Sequence, residues 1–243
     1  MNQFIKSRAT QSEDLQYYFR AACSVTCVIF GFQDQRIKVL LVKRSRDPFK
    51  NSNALPSDMV YPNDSIEQKV DELISFHTGT TNFYKKQIRA FAETSRHPLG
   101  RVISIGYYCF VNSLECHLNH STNQEVAGWM DLKMVPQLAF DHNEIVGAAH
   151  RRLLAKMSNQ LAGFELLPRK FTLKQFQEVY EACLGHELDK RNFRRKIISQ
   201  EVILETGEFQ NPWEESGKAP MLYTLNRKNY DQLKLEGNKF EIF

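Results

Sequence analysis

The chain has 243 residues, 42% hydrophobic and 25% charged, with 32 Lys+Arg against 28 Asp+Glu and a formal net charge of +4. That balance fits a globular protein with apolar residues enough for one large core or two modest ones. No apolar run approaches the roughly 20 residues needed to cross a bilayer, and the five cysteines form no CxxC pair, so a membrane span, a secretion signal and a disulfide framework are not expected and a cytoplasmic location is.

Met1 to Phe19 alternates in charge without a strong pattern and reads as an arm or a helix completing a dimer. Residues 23–33 and 37–44 are β-rich runs joined by the polar Asp34-Gln35-Arg36, the pattern of a hairpin. After Asn63-Asp64-Ser65, residues 65–77 carry Ile66, Val70, Leu73, Ile74 and Phe76 at helical spacing and stop before Gly79. Strands are expected over about 84–95 and 101–112, flanking the turn Arg96-His97-Pro98-Leu99-Gly100, with a shorter one from Val126 to Leu132. Ile145, Ala148, Ala149, Leu153 and Leu154 give an amphipathic helix over 144–157.

Beyond Asn159 the pattern changes. Thr172 is placed to cap a helix carrying Leu173, Phe176, Val179, Tyr180 and Cys183, closed by Gly185. Asp189-Lys190-Arg191-Asn192-Phe193-Arg194-Arg195-Lys196-Ile197-Ile198 follows. Phe193 and Ile197 fall on one side of a helix; Arg191, Arg194 and Arg195 fall on the other. Two short runs, Val202 to Gly207 and Pro220 to Leu225, enclose a polar loop and read as a wing. Helix, turn, helix and hairpin is the winged variant of the DNA-binding motif, whose second helix enters the major groove.

Charge agrees in layout rather than in sum. Residues 165–243 hold 13 basic and 13 acidic side chains, but residues 168–198 hold eight against four. Permanently charged, planar guanidiniums suit phosphate oxygens and the guanine edge. The DNA-contacting set expected from this is Lys190, Arg191, Asn192, Arg194, Arg195 and Lys196, with Thr172 and Lys174 on the supporting helix and Lys218 in the wing. Arg191, Asn192 and Arg195 are assigned to base edges and the others to phosphates. Taken alone, such a run reads rather as a solvated basic helix face, and its context decides for DNA.

The first region resembles the Nudix fold in the hairpin ending Leu40-Leu41-Val42-Lys43-Arg44, the strand-turn-strand before Gly106-Tyr107-Tyr108, the Trp129-Met130-Asp131-Leu132 strand and the Ala139-Phe140-Asp141-His142 entry to a helix. Joined to Leu166-Leu167-Pro168, Phe171-Thr172-Leu173, Tyr180-Glu181 and the basic helix, the chain from about residue 20 to 227 looks like a Nudix-related transcriptional regulator. The resemblance implies an α+β protein: a Nudix-like α/β/α sandwich with a mixed sheet over residues 1–160, then a winged helix-turn-helix over 161–243. It further implies a homodimer that binds a double-stranded DNA operator and answers to a small effector, a sugar or an ADP-ribose-like nucleotide.

A working Nudix box reads Gly, five residues, Glu, seven residues, then Arg-Glu-aliphatic-any-Glu-Glu-any-Gly, and its glutamates hold divalent cations. Anchored on Gly79, this chain has Asp58 for the opening Gly, Asp64 for the first Glu, Glu72 for the Arg, Leu73 for the next Glu, and Phe76 and His77 for the Glu-Glu pair. No metal site, no cofactor and no hydrolysis are therefore expected. Asp64, Asp71 and Glu72 leave a hydrolase of a nucleoside-diphosphate-linked substrate as the second reading, and a protein-interaction module is the third.

For the ligand cleft, Arg44, Glu93, Arg101 and Ser104 are expected to border the effector, with arginines gripping phosphate, carboxylate or sugar hydroxyls. Arg96 reads as an exposed hairpin charge, His97 as a turn residue, His77 as a polar helix end, and the Asp141-His142 pair as the cap of the following helix, in contact with a neighbouring strand. Trp129, Tyr107 and Tyr108 read as core or cleft wall.

Overall fold

A computed structural model describes residues 21–119, 126–210 and 219–235 of the protein. Met1 to Phe19 and Lys218, given roles above, lie outside the described residues. Seven strands, β1 (Ala22–Gln33), β2 (Arg36–Lys43), β3 (Asn53–Ala54), β4 (Ser57–Val60), β5 (Tyr84–Phe91), β6 (Val102–Phe110) and β7 (Val126–Asp131), make one sheet. Its main path runs β3-β2-β1-β6-β5, with β4 on β1 and β7 on β2. The β1–β6 pairing is parallel and the others antiparallel, so the sheet is mixed.

Strand periodicity sorts the side chains into two cores, because successive residues point to opposite faces. Val28 and Phe30 of β1, Ile37, Val39 and Leu41 of β2, and Tyr108 and Phe110 of β6 belong to one cluster. Val25, Cys27, Ile29, Leu40, Val42, Tyr107 and Cys109 belong to the other. The second cluster is closed by α1 (Ile66–Thr78) through Val70, Leu73 and Ile74. The first is closed by α2 (His142–Asn159) through Ile145, Ala149, Leu153 and Met157. A sheet between two helical layers is the α/β/α sandwich expected. Gly79 ends α1 at φ +69, a left-handed conformation that glycine adopts without a Cβ penalty.

The differences from expectation have local causes. The strand expected to reach residue 95 ends at Phe91, and residues 94–100 turn. Two strands, β3 and β4, were not anticipated; at two and four residues they are too short to show an alternation. The amphipathic helix begins at His142 rather than residue 144.

The second layer continues directly. A 3-10 turn (Gly163–Leu166) leads to α3 (Leu173–Leu184), α4 (Lys190–Ser199), the antiparallel pair β8 (Ile203–Phe209) and β9 (Met221–Leu225), and α5 (Arg227–Leu235), a helix the sequence reading had not placed. Phe164, Phe171, Phe176, Tyr180, Phe193 and Tyr223 form its core, with the Phe164 and Phe176 rings stacked 4.2 Å apart. Gly163 is required there: an added Cβ would stand 2.7 Å from the Tyr180 ring and 2.9 Å from that of Phe176. This aromatic core and the α2 face of the sheet are one cluster. A hydrogen bond from Gln35 in the β1–β2 turn to Glu178 of α3, 3.3 Å, crosses the same junction.

Candidate functional site

Two surfaces carry chemistry. The first is a cavity of roughly 680 Å³ at one end of the sheet. Ser24 and Thr26 of β1 and Ser57 of β4 line one side; Thr26 and Ser57 face each other in the β1–β4 register. Lys69, Glu72, Leu73, Phe76 and His77 present one stripe of α1, spaced three and four apart. Loop residues Arg44 to Pro48, Arg96, His97 and Leu99, and Phe140 with His142, complete the wall.

The hydroxyls are chained: Thr26 Oγ1 lies 2.8 Å from Ser104 Oγ, and Ser57 Oγ donates to Thr26 Oγ1 at 3.0 Å. Ser104 is fully buried behind Thr26 and does not line the cavity, and Glu93 and Arg101 stand exposed outside it. Of the four expected cleft residues, Arg44 alone borders the cavity. Its Nε donates to the Pro48 carbonyl at 2.9 Å and its guanidinium lies 4.8 Å from the Phe140 ring centroid. Phe140 is also stacked on His97, 5.1 Å between centroids at 12°.

Arg96 corrects the expectation of an exposed charge. Its side chain is 4% exposed and donates twice to Asp141, 2.8 Å from Nε and 2.7 Å from Nη2. The partner is 45 residues away, so local sequence could not reveal it. His77 is a second correction: it is buried, its Nδ1 has no partner among the described residues, and burial pushes its pKa down to about 4, so the ring is neutral. The Asp141-His142 pair is a further correction: the Asp141 side chain does not cap α2, being held by Arg96, and His142 contacts the connector between β3 and β4 rather than a strand. The Leu55 N–H donates to its Nδ1 at 3.0 Å, which leaves the ring proton on Nε2, and burial lowers its pKa to about 3.

Four of the carboxylates that remain around the box, Asp58, Asp64, Glu67 and Asp71, are engaged. Lys69 Nζ is 2.8 Å from Asp58 and 3.8 Å from Asp64, and Lys85 of β5 pairs with Glu67 and Asp71. Asp58 also raises the Lys69 pKa through its hydrogen bond. Hard divalent cations need several convergent oxygen ligands. Phe76 and His77 replace two of them, and among the described residues no group of three His, Cys, Asp or Glu side chains is placed to hold a metal. The residues present do not fit the catalytic cation of the fold.

The second surface is α4. Asp189 caps it, its carboxylate accepting from the Asn192 N–H at 2.7 Å. Phe193 and Ile197 are buried, while Lys190, Arg191, Arg194 and Arg195 are exposed and Asn192 and Lys196 half-buried. Among the described residues no carboxylate forms a salt bridge with Arg191, Arg194 or Arg195. Arg195 donates to Asn192 Oδ1 at 2.8 Å, so two of the three expected base readers are mutually oriented. The turn before α4 is clamped: Glu181 accepts from the Leu188 N–H at 2.9 Å, and Gln177 donates to the Leu188 carbonyl at 3.1 Å. Lys174 is exposed and 3.7 Å from Glu178. Thr172 turns inward, buried, its hydroxyl accepting from the Gln175 N–H in a capping box.

A Nudix-like sandwich with a broken metal box, carrying a winged helix with an open cationic face, defines a regulator class. The model of the NrtR DNA-binding winged helix domain matches residues 163–225. Over 219 residues the chain is 30% identical to the ADPR-responsive transcriptional repressor NtrR of Acinetobacter baylyi, covering 86% of this chain and 83% of that protein. The crystal structure of Shewanella oneidensis NrtR with a 27mer DNA superposes with a TM-score of 0.75 at 28% identity, covering 86% of this chain and 95% of that one. The NUDIX domain of the same regulator with ADP-ribose gives 0.51 at 25% identity, over 63% and 99%. An ADP-ribose pyrophosphatase of Methanocaldococcus jannaschii is 32% identical over 136 residues, 56% of this chain and 79% of that enzyme. The chain belongs to the NrtR-type family of Nudix-fused winged-helix regulators.

Proposed function

We propose that this protein is a DNA-binding transcriptional repressor that answers to ADP-ribose, with a Nudix-like half that binds the nucleotide without hydrolysing it. The observation that carries the reading is the pairing of two features in one chain: α4 presents Arg191, Arg194 and Arg195 to solvent with no carboxylate partner among the described residues, and α1 presents Phe76 and His77 where the metal-binding glutamates of an active enzyme would stand. ADP-ribose is the compound shared by the names of the repressor relative, the enzyme relative and the NUDIX-domain complex.

Lys190, Arg191, Asn192, Arg194, Arg195 and Lys196 supply the contacts, with Lys174 at the backbone; Thr172 acts by capping α3. The cavity offers the nucleotide an aromatic wall of His97 and Phe140, the Thr26 and Ser57 hydroxyls, the Nε2 proton of His142, and the charges of Arg44, Arg46 and Lys69. A homodimer would set two copies of α4 on palindromic half-sites roughly 34–36 Å apart or a multiple of it.

Selection from a randomised duplex library yields the operator, and mobility shift then measures the variants. Arg191→Ala and Arg195→Ala are each expected to weaken binding tenfold or more, since a base-edge contact is worth about 1–3 kcal/mol. Unchanged affinity in both would refute the assignment of α4. The enzyme reading has support in the M. jannaschii relative; sustained release of phosphate products from ADP-ribose with Mg²⁺ or Mn²⁺ would establish it instead.

A further inference from the structure

The family's catalytic cation has no place among these side chains, yet a diphosphate entering the cavity still has to be neutralised. The stripe of α1 that faces the cavity answers this with Lys69, one helical turn before Glu72, which stands where the box has its arginine. We propose that Lys69 takes over the charge-neutralising task of the divalent ion, so that the diphosphate of the ligand is bound by a fixed ammonium group and binding is independent of metal.

The geometry is specific to this side chain. Lys69 Nζ lies 2.8 Å from Asp58 Oδ2 and 3.8 Å from Asp64 Oδ2, and 5.7 Å from the centroid of the Tyr61 ring. Asp58 and Asp64 occupy the first two positions of the box, so the acidic character left there is already turned on a cation belonging to the chain. The Lys69 side chain is only 16% exposed, and its pairing with Asp58 of β4 keeps the ammonium at the cavity wall. An ammonium has three donors, and Asp58 takes one at hydrogen-bond distance, so donors remain for ligand oxygens. About two turns further along the same stripe stand Phe76 and the buried neutral His77, which add no negative charge to attract a metal ion. Glu72 is the acidic residue of α1 on this stripe, and it too faces Lys69 electrostatically. Asp58 is thus both the residue that holds Lys69 and the competitor that a phosphate must displace.

This rests on the reading of the cavity as an ADP-ribose site, and the test separates the two. Binding of ADP-ribose to the full chain is measured by calorimetry in EDTA and in Mg²⁺, for the parent protein and for Lys69→Met, Lys69→Arg and Asp58→Asn, with thermal unfolding of each variant recorded. The expected result is affinity equal within threefold in the two buffers, a loss of tenfold or more in Lys69→Met, recovery to within a few-fold in Lys69→Arg, and tighter binding in Asp58→Asn, where the competing carboxylate is gone. A merely structural lysine would not give that opposite response at Asp58. Binding that needs Mg²⁺, parent affinity in Lys69→Met, or weaker binding in Asp58→Asn overturns the lysine assignment and leaves the effector standing. No binding in either buffer overturns both.

Discussion

His142 shows how a single side chain joins two distant parts of the sensor half. Its Nδ1 accepts from the Leu55 N–H across 87 residues of sequence, while the same ring lines the cavity. Replacing it with Phe orphans a buried donor, and a loss of about 1–3 kcal/mol in urea denaturation is expected. The pH dependence follows from the two buried histidines. Their folded pKa values, about 3 for His142 and about 4 for His77, lie below the ordinary 6.5. The unfolded chain therefore binds more protons between those limits, so their contribution to stability is complete above about pH 6.5 and is lost as pH falls toward 4 and then 3. A denaturation midpoint that rises on acidification from pH 6.5 to 5 would contradict this.

Arg96 belongs to the same scale. Its bidentate pair with Asp141 ties the 94–100 turn to the start of α2. Arg96→Leu leaves the carboxylate behind in a mostly buried place, at an expected cost of about 3–5 kcal/mol, and Arg96→Leu with Asp141→Leu should recover much of it. These residues were the least legible in the sequence. Arg96 sits in a run of turn formers and its partner is 45 positions away; His77 looks like a polar helix end until packing encloses it. Arg44 was found because it closes a β-rich run, whereas Ser24, Thr26 and Ser57 reach the cavity through the β1–β4 pairing, which no local pattern encodes.

Elements are more legible in the sequence than single side chains, because local periodicity and caps decide local structure. The hairpin at Asp34-Gln35, α1 closed by Gly79, and the α3–turn–α4 unit are visible as patterns of 2 and 3.6. Thr172 and Gln175 form a full capping box at the start of α3. Thr172→Ala is expected to destabilise the protein by about 1 kcal/mol, measured by chemical denaturation, while leaving operator affinity at saturating folded fraction unchanged; a direct DNA contact would instead lower affinity in the folded protein. Strand pairs β3 and β4 escaped the sequence because they are set by what they pair with, and α5 because its charged run carries few apolar positions, Tyr230 and Leu233 among them.

Over the whole molecule, one cluster of apolar residues runs from the sheet through α2 into the winged helix. Lys156 near the end of α2 packs back on the sheet, its ammonium 4.1 Å from the Tyr84 ring centroid of β5. The segment that links the two halves, α2 and the 3-10 turn after it, is thus part of a shared core. Interiors packed this closely transmit strain instead of flexing, so in the proposed homodimer the effector is expected to act by changing how the two copies are set against each other, through its differential affinity for the two arrangements. Calorimetry should accordingly give one cooperative unfolding transition for the full chain, and an excised 161–243 segment should show none of its own; two well-separated transitions would refute the shared core.

The central claim is that one cavity and one helix make a ligand-gated DNA switch out of a fold better known for hydrolysis. Its most direct test is fluorescence anisotropy of a labelled operator bound to the protein, titrated with ADP-ribose while the nucleotide is recovered and weighed by mass spectrometry. The expected result is release of the duplex with the nucleotide intact. Operator affinity indifferent to ADP-ribose, together with its cleavage when Mg²⁺ is added, would contradict the account.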